Sequence, residues 1–539
     1  MSGRRIRKLL VANRGEIAVR VFRTCRELGI ATVAVAEPDD AGALHTRVAG
    51  ETVAIASYLD PVEHVRAARE SGADAVHPGY GFLSESAELA EAIEAAGLIW
   101  IGPPPPALRA GGDKLTAKRI AAEVGVPVLP TGEPEEIGYP LLVKAAAGGG
   151  GRGMRVVRAP SELEQALATA RSEAEAAFGD GAVFCERYLE EARHIEVQLL
   201  ADTGRVVALG ERECSIQRRH QKVLEESPSR AIDDELRAEL FDAAVRFATA
   251  IGYRGAGTAE FMVAGREYFF LELNARIQVE HPVTELVTGR DLVADQIRIA
   301  EGLLLDEAAP TRHGHAIEVR LYAEDPRTFL PQAGRIERLV LPSRVRVDRG
   351  VEEGDTIGTS YDPMIAKLIA HGGSRAEAIE RLRGALAETE VAGLVTNLTF
   401  LRWLTAHPAF RAGDTTTEFL TRYPPLAAAP LLPAAPWRTA FRLNLPSPPL
   451  AAPPDLEVAA HAHDAGDASA EVTAPMPGKV IRVLVAPGDL VEARTPLLVI
   501  EAMKMEMPLL AARAGVVRAV HAAEGDVVSR GAVLAELED

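Results

Sequence analysis

Apolar and polar positions alternate in blocks over residues 1–112. Short apolar runs predict β-strands at 8–13, 31–36, 75–77 and 98–101. Apolar residues at helical spacing between these runs predict helices at 15–28 and 87–96. Strands that alternate with helices are typical of a doubly wound parallel sheet. Four consecutive prolines at 103–106 end the pattern, so we place a first domain at 1–112.

Longer strands and glycine-rich turns follow in a second segment, 113–315. An apolar run at 140–144 precedes a glycine loop, and apolar and polar residues alternate at 195–200, which predicts a half-buried strand. The remaining apolar runs predict strands at 257–263, 268–274, 316–321 and 344–348. The last two runs, with a helix predicted at 375–390, indicate a third, β-rich domain at 316–423.

The pattern disappears at 424–470, where proline, alanine and small polar residues dominate. Such a composition without apolar periodicity is typical of a partly extended, mobile linker. The alternative for 424–445 is an irregular packed segment, in which Trp437, Phe441 and Leu443 would dock.

An internal repeat fills the last segment, 471–539. The sequence GKVIRVLVAPGDLVEARTPLLVIE from Gly478 matches GVVRAVHAAEGDVVSRGAVLAELE from Gly515, an offset of 37 residues. Two copies of one short-stranded unit, each with a Gly-Asp turn, predict a small all-β sandwich with pseudo-twofold symmetry.

Lys504 lies between the two copies, within the sequence EAMKM. The symmetry predicts an exposed hairpin at this point. A lysine on a compact domain at the end of a flexible linker suits a swinging prosthetic group, because a tether raises the effective concentration of that group at any site it reaches. The alternative is a solvated lysine, which is the usual state of this side chain.

Composition and charge exclude several classes of protein. The chain of 539 residues is 47% hydrophobic and 25% charged, as globular multidomain proteins are. No stretch approaches the ~20 apolar residues that span a bilayer, and the apolar run after the basic N-terminus is too short for a signal peptide. A net charge of −18 argues against nucleic-acid binding. Three distant cysteines, Cys25, Cys185 and Cys214, match no metal spacing and indicate the cytoplasm.

A glycine run follows the strand that ends at Lys144. It comprises Gly148, Gly149, Gly150 and Gly151. Glycine lets backbone N–H groups close over phosphate oxygens, and a nearby lysine adds charge. The run is neither a P-loop nor a dinucleotide fingerprint, and an ordinary flexible loop has the same composition.

Carboxylate and amide side chains on two predicted neighbouring strands indicate a metal site. Glu260 lies on the first strand, and Glu272 and Asn274 lie on one face of the second. Hard oxygen ligands suit Mg²⁺ that bridges ATP phosphates. For Glu260 alone, an exposed strand carboxylate is the simpler interpretation.

Five motifs carry a specific resemblance to a known family. They are NRGEIA at 13–18, HPGYGFLS at 77–84, QRRHQK at 217–222, NARIQVEH at 274–281 and YDPM at 361–364. In this order, over residues 5–423, they resemble biotin carboxylase of the ATP-grasp superfamily. The AMKM sequence resembles the modification motif of biotinyl carrier domains. The resemblance implies a Rossmann-like N-terminal domain, an ATP-grasp domain, a β-rich carboxylase domain and a biotinyl sandwich.

The resemblance also implies a nucleotide and metal site. The residues expected to hold ATP phosphates are Lys114, Lys144, the glycine run and Met154. The hinge that reads adenine would be formed by Glu186, Arg187, Tyr188 and Leu189, and ribose or phosphate contacts by His194, Gln217 and His220. Mg²⁺, or Mn²⁺, would be bound by the three residues of the predicted metal site.

Catalytic roles are implied in the same way. Glu280 resembles the general base that deprotonates bicarbonate, which then attacks the γ-phosphate to give carboxyphosphate and ADP. The bicarbonate cradle would comprise Lys222, Arg276, Gln278 and the backbone of Val279. Arg346, in the short sequence VRVD, matches the arginine that stabilises the biotin enolate.

The function implied is that of an ATP-dependent ligase that carboxylates biotin on Lys504. The chain would be the alpha subunit of an acyl-CoA carboxylase of the acetyl-/propionyl-CoA type, in fatty acid metabolism. Its expected partners are a separate carboxyltransferase (beta) subunit, biotin protein ligase and further copies of itself, with no nucleic acid and no membrane. Three-domain members of the family carry an extra β-rich domain between carboxylase and carrier, where this chain has only 424–470.

Two other functions fit part of the sequence. An ATP-grasp ligase that makes an amide or carbamoyl product would explain the glycine run and the metal ligands, but not Lys504. A non-catalytic biotin carrier with a decayed ATP site would explain Lys504, but not the intact lysines and carboxylates of the nucleotide site.

Overall fold

A computed structural model describes residues 5–145, 154–178, 181–218, 221–305, 311–426, 471–502, 505–529 and 531–538. The predicted roles of Gly148 to Gly151, His220 and Lys504, and the predicted linker from residue 427 onwards, lie outside these residues. The chain divides into two compact units. The first comprises 1–326, 335–356 and 364–425, and the second comprises 327–334, 357–363 and 426–539.

The first unit begins with a five-stranded parallel sheet. Its strands are β1 (Lys8–Val11), β2 (Ala31–Ala36), β3 (Glu51–Ala54), β4 (Ala75–His77) and β5 (Ile99–Trp100). They alternate with α1 (Gly15–Glu27), α2 (Leu44–Val48), α3 (Pro61–Ser71), α4 (Ala87–Ala95) and α5 (Pro105–Gly112). The order β3-β2-β1-β4-β5, parallel throughout, confirms the predicted α/β sheet.

A small four-stranded sheet follows. Its segment contains α6 (Lys114–Glu123), β6 (Thr131–Gly132), α7 (Pro134–Ile137), β7 (Leu141–Ala145), β8 (Arg155–Val157), α8 (Pro160–Phe178) and β9 (Val183–Arg187). The strand order is β6-β9-β7-β8. Asp113 starts α6, because its side chain accepts a hydrogen bond from the Thr116 N–H and so satisfies a free donor of the first turn.

The central element of the first unit is an eight-stranded antiparallel sheet. The next elements are β10 (Arg193–Ala201), β11 (Val206–Arg218), β12 (Gln221–Ser227), α9 (Asp234–Ala250), β13 (Gly255–Ala264), β14 (Glu267–Asn274), α10 (His281–Thr288) and α11 (Leu292–Ala300). They are followed by β15 (His315–Tyr322), β16 (Gly334–Arg335), β17 (Arg338–Val340), β18 (Arg346–Arg349), β19 (Thr356–Ile357) and β20 (Met364–Gly372). The order β14-β13-β10-β11-β12-β15-β20-β18 runs through the predicted domain boundary at 315/316 without a break.

Helices close the first unit. They are α12 (Arg375–Glu388), α13 (Leu398–Ala406), α14 (Pro408–Ala412) and α15 (Phe419–Arg422), with the short strand β21 (Glu390–Ala392) after α12. Helix α12 packs on β15 and β20. No helix in the described ranges is long and apolar enough to cross a bilayer.

One prediction about the central sheet is wrong. The alternation at 195–200 indicated a strand buried on one face, but every residue of β10 from His194 to Ala201 is buried. The polar side chains Glu196 and Gln198 are inside the protein at 0% exposure, because buried cationic and amide groups partner them. Alternation of polar residues therefore marks a buried charged layer here, not a solvated face.

The second unit contains the predicted repeat. Its strands are β22 (Glu471–Thr473), β23 (Gly478–Val483), β24 (Leu490–Val491), β25 (Pro496–Ala502), β26 (Met505–Leu510), β27 (Gly515–Val520), β28 (Val527–Val528) and β29 (Val533–Glu538). They form two four-stranded sheets, β22-β29-β27-β24 and β26-β25-β23-β28. Strands β27, β28 and β29 start 37 residues after β23, β24 and β25, and the exchange of equivalent strands converts one sheet into the other.

Candidate active site

Lys222, on β12, is the centre of a buried group of carboxylates. Its Nζ donates hydrogen bonds to Glu196 Oε2 (2.5 Å), Glu260 Oε1 (2.7 Å) and Glu280 Oε1 (2.7 Å). Burial alone would lower the pKa of Lys222, but the three carboxylates outweigh it and raise that pKa well above its ordinary value. The lysine therefore stays charged and holds three elements, β10, β13 and the start of α10, around one ammonium group.

Glu280 precedes α10 and is held between two cations. Arg320 Nη2 donates to Glu280 Oε2 at 2.9 Å, while Lys222 binds the other oxygen. Burial would raise the pKa of Glu280, but the charges of Lys222, Arg320 and Arg212 outweigh it and hold the pKa well below its usual range. In the resting protein this carboxylate is ionised and is a weak base.

Arg212, on β11, is fully buried and organises the layer beneath Lys222. Its guanidinium donates to Glu196 and, at 2.6 Å each, to Gln198 Oε1 and Gln278 Oε1. Two hydroxyls, Thr258 at 3.1 Å and Thr284 at 2.9 Å, accept its remaining hydrogen bonds. A buried guanidinium with a full set of acceptors is rigid, so it fixes the orientation of the carboxylate and the amide above it.

The predicted metal ligands meet at adjacent positions of β13 and β14. Glu260 lies directly opposite Glu272 in the strand register, and Asn274 Nδ2 donates to Glu260 Oε1 at 2.8 Å. Lys222 binds Glu260, and Lys114 Nζ lies 4.0 Å from Glu272 Oε2. Two facing carboxylates, each next to a lysine that an ATP phosphate would attract, form a hard-oxygen set that fits Mg²⁺.

His194 and Gln217 join the same group. His194 Nε2 lies 2.8 Å from Glu260 Oε2, and Gln217 Nε2 lies 2.9 Å from His194 Nδ1. These two predicted nucleotide residues are thus next to a predicted metal ligand, where a ribose or phosphate group of a metal-bound nucleotide would lie.

Besides the group around Lys222, a second charged cluster lies around Glu186 on β9. Lys118 Nζ binds Glu186 Oε2 at 2.5 Å and Lys144 Nζ binds it at 3.2 Å. Burial would raise the pKa of Glu186, but Lys144 and Lys118 outweigh it and lower that pKa. Lys118 was not predicted. It lies one helical turn after Lys114 on α6, and this spacing of four residues is the signal that identifies it.

The other predicted hinge residues are engaged with the protein backbone or core. The Arg187 N–H donates to Pro130 O at 3.1 Å, and the Tyr188 N–H donates to Pro140 O at 3.2 Å. Leu189 packs in a small apolar cluster with Leu129. Met154, which would touch the nucleotide, lies directly before β8 and is partly exposed.

Three of the residues predicted for the bicarbonate cradle lie close to Glu280 in sequence, and each of the three has a partner other than Glu280. Gln278 Nε2 donates to Glu260 Oε1 at 2.7 Å, and the Val279 carbonyl accepts from Lys367 Nζ at 2.8 Å. Arg276 binds Asn274 Oδ1 at 2.6 Å and Glu85 Oε2 at 3.1 Å.

Arg346 is not part of this group. Its guanidinium binds Glu285 Oε2 and Asp348 Oδ2, both at 2.7 Å, beside α10. The arginine that binds Glu280 is Arg320 on β15. The residues 316–321 were predicted only as a strand, and Arg320 was not among the predicted site residues, although a charged residue in a hydrophobic strand is a signal of a buried partner.

Four family models match the chain. They are "Biotin carboxylase, N-terminal domain" at 5–108, "Carbamoyl-phosphate synthase L chain, ATP binding domain" at 113–308, "Biotin carboxylase C-terminal domain" at 318–422 and "Biotin-requiring enzyme" at 470–537. Together they cover both compact units.

Known proteins resemble the chain over different lengths. The methylcrotonoyl-CoA carboxylase subunit alpha of Oryza sativa is 48% identical over 445 residues, which cover 78% of this chain and 60% of the rice protein. This chain thus spans about three fifths of that relative. The biotin-dependent acyl-coenzyme A carboxylase alpha3 subunit of Mycobacterium leprae is 42% identical over 594 residues and 99% of each chain.

A solved structure matches the first unit. It is the biotin carboxylase domain dimer of Hydrogenobacter thermophilus 2-oxoglutarate carboxylase, in complex with MgADP, ADP and bicarbonate. The TM-score is 0.77 at 42% identity, over 78% of this chain and 98% of that one. Biotin, ATP and Mg²⁺ are the cofactors of the family that these matches define. The chain belongs to the biotin carboxylase family, in the alpha-subunit form that carries a biotin carboxylase and a biotinyl domain on one polypeptide.

Proposed function

We propose that the chain carboxylates biotin attached to its own Lys504, with ATP and bicarbonate as substrates. It acts as the alpha subunit of an acyl-CoA carboxylase and passes the carboxyl group to a separate carboxyltransferase subunit. The observation that carries the proposal is Glu280, a buried carboxylate held between Lys222 and Arg320 beside the Glu260–Glu272 pair. An anion, a base and a metal-bound phosphate can meet at this point.

Bicarbonate binding would turn Glu280 from a weak base into a useful one. The anion competes with Glu280 for the N–H donors of Lys222 and Arg320, and each cation that it attracts no longer lowers the pKa of the carboxylate. Glu280 then accepts the bicarbonate proton, and the freed oxygen attacks the γ-phosphorus of ATP while ADP leaves. The cations stay in place to balance the charge that develops during transfer.

The nucleotide would lie between the two charged clusters. Lys114, Lys118 and Lys144 supply positive charge for the phosphates, and Glu186 positions the last two of them. Glu260, Glu272 and Asn274 would hold Mg²⁺, which supplies charge neutralisation between the β- and γ-phosphates when bound. To Arg320 we assign the charge-stabilising role that the resemblance implied for Arg346, because Arg320 binds the proposed base directly.

Two measurements on the purified full chain test the proposal. A streptavidin blot should detect biotin, and mass spectrometry should find it on Lys504. ATP hydrolysis should depend on bicarbonate and increase when free biotin is added. A biotin-free protein that still ligates other substrates would favour the ATP-grasp ligase alternative, and a biotinylated protein without bicarbonate-dependent hydrolysis would favour a non-catalytic carrier.

The acceptor and the partner need a separate experiment. We propose acetyl- and propionyl-CoA as acceptors, in a cytoplasmic complex with several copies of each subunit. The similarity over 99% of the chain to a biotin-dependent acyl-coenzyme A carboxylase alpha3 subunit supports an acyl-CoA acceptor. Co-purification should recover a carboxyltransferase, and the complex should transfer labelled bicarbonate to these two acyl-CoA thioesters. Preferred labelling of methylcrotonyl-CoA would assign the chain to the other type of carboxylase.

A further inference from the structure

Two buried glutamates face each other next to the proposed base. Glu225 on β12 and Glu318 on β15 are directly opposite in the antiparallel register, and both are 0% exposed. Side chains at such positions leave the same face of the sheet with Cβ atoms about 5 Å apart. The two side chains therefore enter the same buried layer on one face of the sheet.

The pair has one cation in common with Glu280. Arg320 Nη2 lies 2.6 Å from Glu225 Oε1 and 2.9 Å from Glu280 Oε2. Among the residues that the structure describes, none of the four carboxylate oxygens of Glu225 and Glu318 has a hydrogen-bond partner, so Glu225 meets Arg320 as an ion pair only. One nitrogen of Arg320 is thus within ion-pair distance of two carboxylates. The third carboxylate, that of Glu318, has no hydrogen-bond donor among the described residues.

Burial and like charge prevent both glutamates from being ionised at once. Burial raises the pKa of Glu225 to about 7, although Arg320 opposes this shift. Burial also raises the pKa of Glu318 well above its ordinary value, against the effect of Lys367 and with that of Glu225. Both groups therefore keep a proton to a higher pH than exposed glutamates do, and Glu225 is close to its midpoint at neutral pH.

The surrounding charged groups come from four elements. They are Lys222 on β12, Arg320 on β15, Lys367 on β20 and Glu280 at the start of α10. Helix α10 also packs on β12 and β15, and its titratable residues are His281 and Glu285. Helices α12 and α13 pack on β15 as well, but their buried side chains are apolar except for Thr405.

We propose that Glu225 and Glu318 are positioning residues that set how Arg320 is divided between Glu225 and Glu280. Glu318 keeps a proton, and Glu225 competes with Glu280 for the guanidinium whenever it is ionised. Ionised Glu225 draws Arg320 away and leaves Glu280 a stronger base, whereas protonated Glu225 leaves Arg320 on Glu280. This inference rests on the proposed function, because it assumes that Glu280 is the base for bicarbonate.

Infrared spectroscopy tests the pair without any turnover. Full-length protein with ¹³C-labelled glutamate is titrated from pH 5 to pH 9, and the bands of protonated carboxylic acids are followed. The wild type should show one acid band that persists through pH 8 and is lost in Glu318→Gln. A second band should titrate near pH 7 and be lost in Glu225→Gln. A spectrum without a titrating acid band near neutral pH would overturn the inference.

The pH profile of bicarbonate-dependent ATP hydrolysis tests the effect on the base. Rates are expressed per bicarbonate ion present. Wild-type kcat/KM for bicarbonate should then rise with pH, and the rising part of the profile, called the limb below, should be centred near pH 7. Glu225→Gln should remove this limb and leave kcat/KM above pH 7 roughly tenfold below the wild type, because one buried charge interaction shifts a pKa by about one unit or more.

Substitutions at position 318 separate positioning from simple packing. Glu318→Gln imitates the protonated acid and should keep the limb, whereas Glu318→Leu replaces the polar group opposite Glu225 by an apolar one and should move the limb up by about one pH unit. The matched control is Glu226→Gln, since Glu226 is the next residue on β12 but binds His315 and Arg375, so the limb should not move. A limb that survives in Glu225→Gln would contradict the inference. A wild type without bicarbonate-dependent hydrolysis would instead contradict the proposed function, and the infrared titration would still decide the state of the pair.

Discussion

At the scale of single residues, the site depends on how buried charges are neutralised. Lys222 is one cation for three carboxylates, and Arg212 below it has no solvent contact. Removing one member of a buried charged group leaves its partners uncompensated, which costs about 3–5 kcal/mol. The stability of the first unit is therefore sensitive to the residues that would carry its chemistry.

Lys222→Met should lower the free energy of unfolding by about 3–5 kcal/mol at pH 8. In the wild type the pKa values of Glu260 and Glu280 are held low, so these carboxylates contribute stability above their unfolded pKa that is lost as the pH falls. Between pH 8 and pH 5 the wild-type contribution is constant, because both pH values lie above the unfolded pKa of about 4.3. In the variant, burial without Lys222 raises the pKa of these carboxylates, so the folded state binds protons as the pH falls and the difference from the wild type should shrink between pH 8 and pH 5. Urea unfolding at both pH values measures it, with the exposed Lys479→Met as control. A difference that grows toward pH 5 would refute the charge argument.

We expect substitutions at Arg320 and at Arg346 to have different effects on kcat. Arg320→Lys should lower kcat of bicarbonate-dependent ATP hydrolysis by about 10²-fold, because the shorter lysine side chain does not place a donor at the Nη2 position, which contacts both Glu225 and Glu280. Arg346→Lys should keep kcat within about tenfold, because its partners Glu285 and Asp348 lie outside the Lys222 group. Steady-state kinetics on both variants, with folding checked by circular dichroism, distinguishes them. The reverse order of effects would return the catalytic role to Arg346.

The sequence alone identified individual site residues unevenly. Glu260, Glu272 and Asn274 were predicted as metal ligands because two neighbouring strands carried oxygen ligands, and the register places Glu260 opposite Glu272, while their role stays a prediction. Glu196 and Arg212 were missed because alternating polar residues in a strand normally indicate a face exposed to solvent. The sequence does not show that this face of the sheet is covered. Charge burial depends on tertiary packing, and a local pattern does not contain it.

At the scale of elements, strand positions were more predictable than strand environments. The predicted strands at 31–36 and 75–77 coincide with β2 and β4, and the helix predicted at 15–28 is α1 within one residue. The burial of β10 was not predictable, because the partners of its polar residues lie on other strands: Arg212 on β11 binds Glu196 and Gln198, and Lys222 on β12 also binds Glu196. The repeat of the second unit was predictable in detail, because a constant offset of 37 residues needs no tertiary information.

The two tight turns of the repeat give a test of its symmetry. Gly488 and Gly525 both have φ of +98°, and a Cβ atom at either position would meet no neighbour within 4 Å. Gly488→Ala and Gly525→Ala should therefore cost the same backbone strain, about 1–2 kcal/mol each, and nothing from clashes. Thermal or urea unfolding of the second unit measures both values, and the exposed Leu490→Ala should change stability by less than about 0.5 kcal/mol. Unequal costs would show that the two turns are equivalent in sequence only.

At the scale of the whole molecule, lysine is unusually rare. The 59 basic residues include only eight lysines: Lys8, Lys114, Lys118, Lys144, Lys222, Lys367, Lys479 and Lys504. Arginine makes most of the exposed ion pairs, as its planar fork favours carboxylate partners. Five lysines lie in the two charged clusters of the first unit or bind their backbone, and Lys504 is the proposed biotin site. Lysine is thus concentrated where a compact point charge or a reactive amine is needed.

This distribution makes amine acetylation a map of the proposed nucleotide site. Only neutral amines react with the reagent. A bound phosphate covers an ammonium group and raises its pKa. A pKa higher by one unit reduces the neutral, reactive fraction about tenfold. Saturating MgATP should slow acetylation of Lys114 and Lys144, which are partly exposed, by about tenfold. Exposed Lys479 should react at the same rate with and without nucleotide, and Lys504 should be blocked by biotin. Peptide mass spectrometry over a time course measures all four positions. Equal rates at Lys144 with and without MgATP would mean that the phosphates do not bind beside Glu186, the partner of that amine.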